Sequence, residues 1–170
     1  MKRLFVSAVM AVAFSASLPA QGTDETPASF HDEPKAELAV ELIKKFEGLH
    51  DHSDYPYYGY GHCRLEGEEL SYDMTEAEAE ELLRKDLAER YRLFRKYRKD
   101  ALLLTVLCYN VGNGTLLGYG KRPKSRMLKK LEAGDRDIYV EYISYCHYKG
   151  RKIRSIERRR KMEFLLLYEP

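Results

Sequence analysis

The sequence predicts a mainly α domain of the α+β class. Three observations carry that expectation: several stretches repeat apolar residues at helical spacing, one short Gly- and Tyr-rich segment interrupts them, and Pro, Thr, Ser or Asp stands where each helix would begin. Of 170 residues, 33% are charged and 44% hydrophobic, which describes a folded chain and excludes both disorder and a membrane bundle. The length suffices for one domain with a real core.

Met1-Lys2-Arg3 is a cationic head, Leu4–Phe14 an uncharged and mostly apolar run, and Ser-Ala-Ser-Leu-Pro-Ala follows. That layout predicts a secretory signal over residues 1–20, cleaved after Ala20 or near Ala16–Ser17. Pro19, Gly22 and several Ser argue against a stable membrane span, and no Cys is placed for lipid attachment. Residues 21–33 are polar and aperiodic, so they read as a flexible leader, with the folded domain over 34–170.

The first helix is expected from Pro34, with Leu38, Leu42 and Phe46 in one stripe beside Ala39 and Ile43. Residues 48–72 turn to Gly, Tyr, His and Asp, and Tyr55–His62 suggests a short strand. Thr75 and Glu78 form a capping box opening a second helix through Leu83, Leu87, Tyr91 and Phe94. Ala101–Tyr109 is apolar nearly all round, as a fully buried helix requires. Ser125 caps a short helix ending at Gly134, Asp135 a further one ending near Gly150, and Ser155 the last, reaching Leu167.

Without Lys2 and Arg3 the chain carries 27 bases against 27 acids, which speaks against a nucleic-acid partner. The balance hides an asymmetry: residues 21–80 carry a net −12 and residues 121–170 a net +8. Opposed segments can attract each other, and a basic one can also hold an anionic polymer. Cys63, Cys108 and Cys146 are too few for a disulfide scaffold and too scattered for a metal knuckle. In an oxidising compartment Cys108 and Cys146 can pair, or Cys108 can stay a buried thiol.

Glu47 is the residue that chemistry singles out. It ends the apolar stripe of the first helix and precedes Gly48, where free helix carbonyls disfavour a carboxylate and raise its pKa, as suits a general acid. The plainer reading is a solvated Glu at a helix end.

Seven motifs in order add to this: Phe46-Glu47-Gly48-Leu49, Gly59-Tyr60-Gly61-His62, Thr75–Leu87, Ala101 to Gly112, Lys124–Leu128, Leu131–Asp135, and Arg159-Arg160 followed by Glu163. Together they resemble the phage-type (T4-like) lysozymes, glycoside hydrolase family 24, over roughly residues 36–168. The resemblance implies a lysozyme-like fold, with a small β-lobe and a helical lobe flanking a cleft. It also implies cleavage of the β-1,4 bond between N-acetylmuramic acid and N-acetylglucosamine. Glu47 matches the family's catalytic acid, and His62, Cys63, Tyr109 and Ser125 fall on motif positions expected to contact saccharide.

The sequence departs from the family in the second half of the catalytic apparatus. Where the family has an Asp nine residues after its Glu, this chain has Pro56, and the family's Thr position is Tyr57. The intervening segment is about five residues short, leaving Asp51 and Asp54 as candidate bases. A lone acid also serves in related phage transglycosylases, where the sugar's own 6-hydroxyl attacks. A metal site built from His50, Asp51, His52, His62 and Cys63 is set aside because the family motif already accounts for His62; no metal and no cofactor are expected.

The leading expectation is therefore an exported, periplasmic or secreted muramidase. It acts as a monomer on peptidoglycan glycan strands, with no stable membrane span after signal cleavage. The competing expectation, from another class, is an inactive relative that binds wall glycan or scaffolds an envelope-spanning transfer assembly. The basic tract Arg151–Lys161 reads as a solvated helix face, or as a contact for the carboxylates of peptidoglycan stems.

Overall fold

Leu42 and Ile43 turn inward from the first helix of the described chain, and the core assembles around them. A computed structural model describes residues 27–170 of the protein; the expected signal over 1–20 lies outside the described residues. Helix α1, Ala36–Glu47, buries Ala36, Ala39, Val40, Leu42 and Ile43. Helix α2, Glu76–Phe94, opens on the expected capping box, with the Thr75 hydroxyl accepting from the Glu78 amide and the Glu78 carboxylate accepting from the Thr75 amide. Helix α3, Ala101–Val111, has every side chain from Ala101 to Cys108 buried, so it forms the centre against which α1, α2 and α7 (Arg154–Leu167) pack. Three short helices complete the set: α4 (Asn113–Leu117), α5 (Arg126–Glu132) and α6 (Tyr139–Ile143).

Two small antiparallel hairpins interrupt the helices. In the first, β1 (Tyr57–Tyr58) pairs with β2 (His62–Cys63), Tyr57 opposite Cys63 and Tyr58 opposite His62. The alternation of a strand buries Tyr58 and His62 on one face and leaves Tyr57 and Cys63 on the other. In the second, β3 (His147–Tyr148) pairs with β4 (Arg151–Lys152).

The last helix is capped by Ile153, not by the expected Ser155, which lies inside its first turn, and two further expectations need correction. The flexible leader over 21–33 does not extend to its end: Phe30 is fully buried and meets the Tyr91 ring edge-on, while the Tyr91 hydroxyl donates to Glu33 at 2.6 Å. One aromatic among polar neighbours carries no periodicity, so the sequence pattern missed it. The helix expected over 135–150 is only Tyr139–Ile143, because Lys149 and Gly150 at positive φ turn the chain into the β3–β4 hairpin. The buried thiol, rather than a disulfide, is what the structure shows: Cys63, Cys108 and Cys146 are all free, and the Cys108 thiol donates to Asn113 Oδ1 at 2.8 Å.

Candidate active site

Glu47 is the last residue of α1, where Gly48 at φ 72° turns the chain away. Burial of the α1 stripe leaves Phe46 half-buried and presents Glu47 at the point where α3 and α7 converge. Arg159 of α7 donates from Nη1 to Glu47 Oε1 at 2.6 Å, and Asn110 of α3 donates from Nδ2 to the same oxygen at 3.3 Å. Oε2 makes no hydrogen bond among the described residues.

Glu47 is therefore ion-paired, and the plainer reading of a solvated Glu at a helix end does not describe it. The partner lies 112 residues away in sequence, and only packing of α7 against α1 brings it there.

Behind Arg159 stands a buried polar network. Arg159 Nε donates to Glu163 Oε1 at 2.8 Å, Arg160 Nη1 lies 3.1 Å from Glu163 Oε2, and the Tyr142 hydroxyl donates to that same oxygen at 2.9 Å. Arg160 Nη2 in turn donates to Asn110 Oδ1 at 3.0 Å, so both groups that hold Glu47 are themselves held. The Arg159 guanidinium also sits over the Phe46 ring, 5.4 Å from its centroid. Residues 159, 160 and 163 were legible as a family motif, but their grip on Glu47 was not.

The first hairpin passes beside Glu47. Its turn, Gly59-Tyr60-Gly61, passes so close that a Cβ at Gly61 would lie 3.5 Å from the Tyr109 ring and 3.7 Å from Glu47 Cγ. Those are ordinary van der Waals contacts, so it is the φ of 105° that favours glycine there. Tyr109 donates its hydroxyl to the Tyr60 carbonyl at 2.9 Å and lies under the Arg90 guanidinium, and burial raises its pKa. It therefore braces the hairpin from below, and the sugar-facing role expected for it is not what these bonds describe.

His62 is displaced from the expected saccharide contacts altogether. It is 6% exposed, and both ring nitrogens are engaged, Nδ1 with Asp86 at 2.9 Å and Nε2 with Glu68 at 2.8 Å. The Asp86 hydrogen bond raises its pKa against the opposing effect of burial, and Glu68 adds to the rise. Its work is to clamp β2 to α2. Ser125 is likewise a cap, its hydroxyl accepting from the Leu128 amide at 3.3 Å. Cys63 stays exposed on β2, across from Tyr57, whose ring is 46% exposed beside His50.

Asp51 and Asp54 are occupied with each other's turn. Asp51 accepts from the Ser53 hydroxyl at 2.7 Å and its amide at 2.8 Å, which lowers its pKa and makes it a poor base; Asp54 accepts from the Asp51 amide at 3.0 Å. Of the expected catalytic set Glu47, Asp51, Asp54 and Tyr57, only Glu47 is seen in contact with Arg159 and Asn110. His50 turns Nδ1 to the Gly59 carbonyl, and the His52 ring packs against Tyr72. A groove of about 970 Å³ along α2 between Leu70, Met74 and Leu82 is not lined by Glu47.

A family model described as Phage lysozyme matches residues 44–163, from the last turn of α1 to Glu163. No curated protein gives a significant match.

Proposed function

The chain belongs to the phage lysozyme family, whose activity is peptidoglycan degradation, and from that premise we propose that it is an exported muramidase in which Glu47 is the proton donor. The carrying observation is the division of labour on one carboxyl. Arg159 and Asn110 both hold Oε1, while Oε2 is left to carry a proton to the leaving glycosidic oxygen. The bond proposed is the β-1,4 link between N-acetylmuramic acid and N-acetylglucosamine. Export rests on the sequence of residues 1–20; among the described residues no helix is long and apolar enough to cross a membrane.

A second reading of the chemistry is favoured by the engagement of Asp51 and Asp54 in their own turn. Glu47 then acts without a carboxylate partner, and the 6-hydroxyl of the muramic acid takes the place of water.

Mature protein incubated with purified sacculi should release muropeptides, and Glu47→Gln should slow release by about 10²–10⁴-fold. A variant that clears walls at the parent's rate removes Glu47 from the chemistry. Mass spectrometry divides the two readings, since internal attack leaves an anhydro terminus lighter by a water. A parent that binds sacculi and releases nothing is the inactive scaffold instead.

A further inference from the structure

Sharing Phe46 with the ion pair is a pocket of about 460 Å³ that the proposed chemistry does not use. It is lined by Lys45 and Phe46 of α1 and by Arg154, Ser155, Arg158 and Met162 of α7. Three of the six are cations, none is an acid, and Phe46 and Met162 supply the apolar surface. Lys45, Arg154 and Arg158 are exposed and make no ion pair among the described residues.

The nearby carboxylates are already committed. Glu157 sits between Lys152 and Lys161 at 3.0 and 2.9 Å, and Glu47 is held by Arg159. Arg154 and Ser155 open α7, and its N-cap, Ile153, has no side chain to satisfy their amides. Three like charges around one concavity repel each other at some cost, and an anion seated among them relieves that repulsion. Two guanidiniums are the forked donors that match carboxylate or phosphate oxygens.

We propose that this pocket binds an oxyanion group, carboxylate or phosphate, borne by the wall polymer, as a second contact beside Glu47. The polymer's identity rests on the function proposed above. The Phe46 ring is common to both places, lining the pocket and lying under the Arg159 guanidinium that holds Glu47. A peptide stem of three to five residues, extending about 3.3–3.6 Å per residue, reaches from the sugar ring into such a neighbouring pocket. Phosphate groups of a wall-linked polymer present the same oxygens.

The test measures binding without turnover. Full-length mature protein carrying Glu47→Gln is sedimented with intact sacculi, with sacculi stripped of stem peptides by an amidase, and with sacculi stripped of phosphate polymers by hydrofluoric acid. Adding Arg154→Gln and Arg158→Gln should weaken binding to intact sacculi by about fivefold to tenfold at low salt, with the difference vanishing near 1 M NaCl, where screening reaches within about 3 Å. A control pair, Lys121→Gln with Lys129→Gln, removes the same charge elsewhere and should change binding less than twofold.

Loss of the Arg154/Arg158 effect on amidase-treated walls identifies stem carboxylates as the ligand, and its loss on acid-treated walls identifies phosphates. An equal loss in the control pair, unaltered binding in the double variant, or an effect surviving both treatments overturns the proposal. Because Glu47→Gln is present throughout, a parent enzyme that releases no muropeptides defeats the function reading while leaving this result intact.

Discussion

Arg159 Nη1 and Glu47 Oε1 meet at 2.6 Å, and the same guanidinium reaches Glu163 Oε1 at 2.8 Å through Nε. One cation thus holds a half-buried carboxylate in the candidate site and a fully buried one behind it. Arg159→Met takes this cation from both, leaving Glu47 with Asn110 and Glu163 with Arg160 and Tyr142, so a loss of about 3–5 kcal/mol is expected. In thermal unfolding this reads as a drop of roughly 10 °C or more in Tm. A change under 1 kcal/mol means the pair behaves as a screened surface contact.

Asp51 and Asp54 stabilise a single turn of 3-10 helix over His52–Asp54. Asp51→Asn and Asp54→Asn should each cost about 0.5–2 kcal/mol or less and lower muropeptide release by under tenfold. A fall of a hundredfold or more in either variant, with the Tm unchanged, would instead identify that aspartate as a second catalytic group.

The His62 clamp makes stability depend on pH in two directions. The folded pKa of His62 is raised from 6.5, so its contribution is complete below about 6.5 and is lost as pH rises through the folded value. Glu68 is lowered from 4.5 by His62 and the Leu65 amide, so its contribution is complete above about 4.5 and is lost as pH falls through the folded value. The urea midpoint should therefore peak between about pH 4.5 and 6.5 and decline on both sides. In His62→Gln the alkaline decline should flatten; an unaltered profile refutes the clamp.

Phe30 is buried outside any α-helix, in a 3-10 turn over Phe30–Asp32. Phe30→Ala should cost about 3–5 kcal/mol, as a core phenylalanine does. A loss below 1 kcal/mol in chemical denaturation would return this segment to the status of a leader.

Gly61→Ala places a methyl between the Tyr109 ring and Glu47 Cγ at a φ of 105°. Strain of order 1–3 kcal/mol is expected, with sacculus cleavage falling more than a distant Gly→Ala such as Gly67→Ala. Equal activity of the two variants would show that the turn does not shape the site.

The long helices could be read because their causes are local. The apolar spacing of α1, which buries Ala39, Leu42 and Ile43 but leaves the expected Leu38 exposed, the Thr75–Glu78 box and the nearly unbroken apolar run of α3 each need only residues within a few positions of one another. Glu47 was legible for the same reason, since a helix end is a local fact and the surrounding motifs resemble one family. The hairpin at 147–152 and the anchoring of Phe30 were not legible, because a two-residue strand and a lone aromatic leave no period to detect.

The partners of the polar groups belong to a different order of information. A carboxylate at residue 47 has 29 Lys and Arg to choose from in the sequence, and an ion pair needs only a few ångströms of proximity, with no preferred spacing along the chain. Residue order thus determined which side chains stand at helix ends and which lie in the core. The crossing of α7 over α1 and α3 decided that Arg159 grips Glu47 and that Asn110 shares the oxygen. The seating of the first hairpin on α2 decided that His62 is a clamp, because hydrogen bonds and ion pairs are satisfied by whichever groups packing brings within reach.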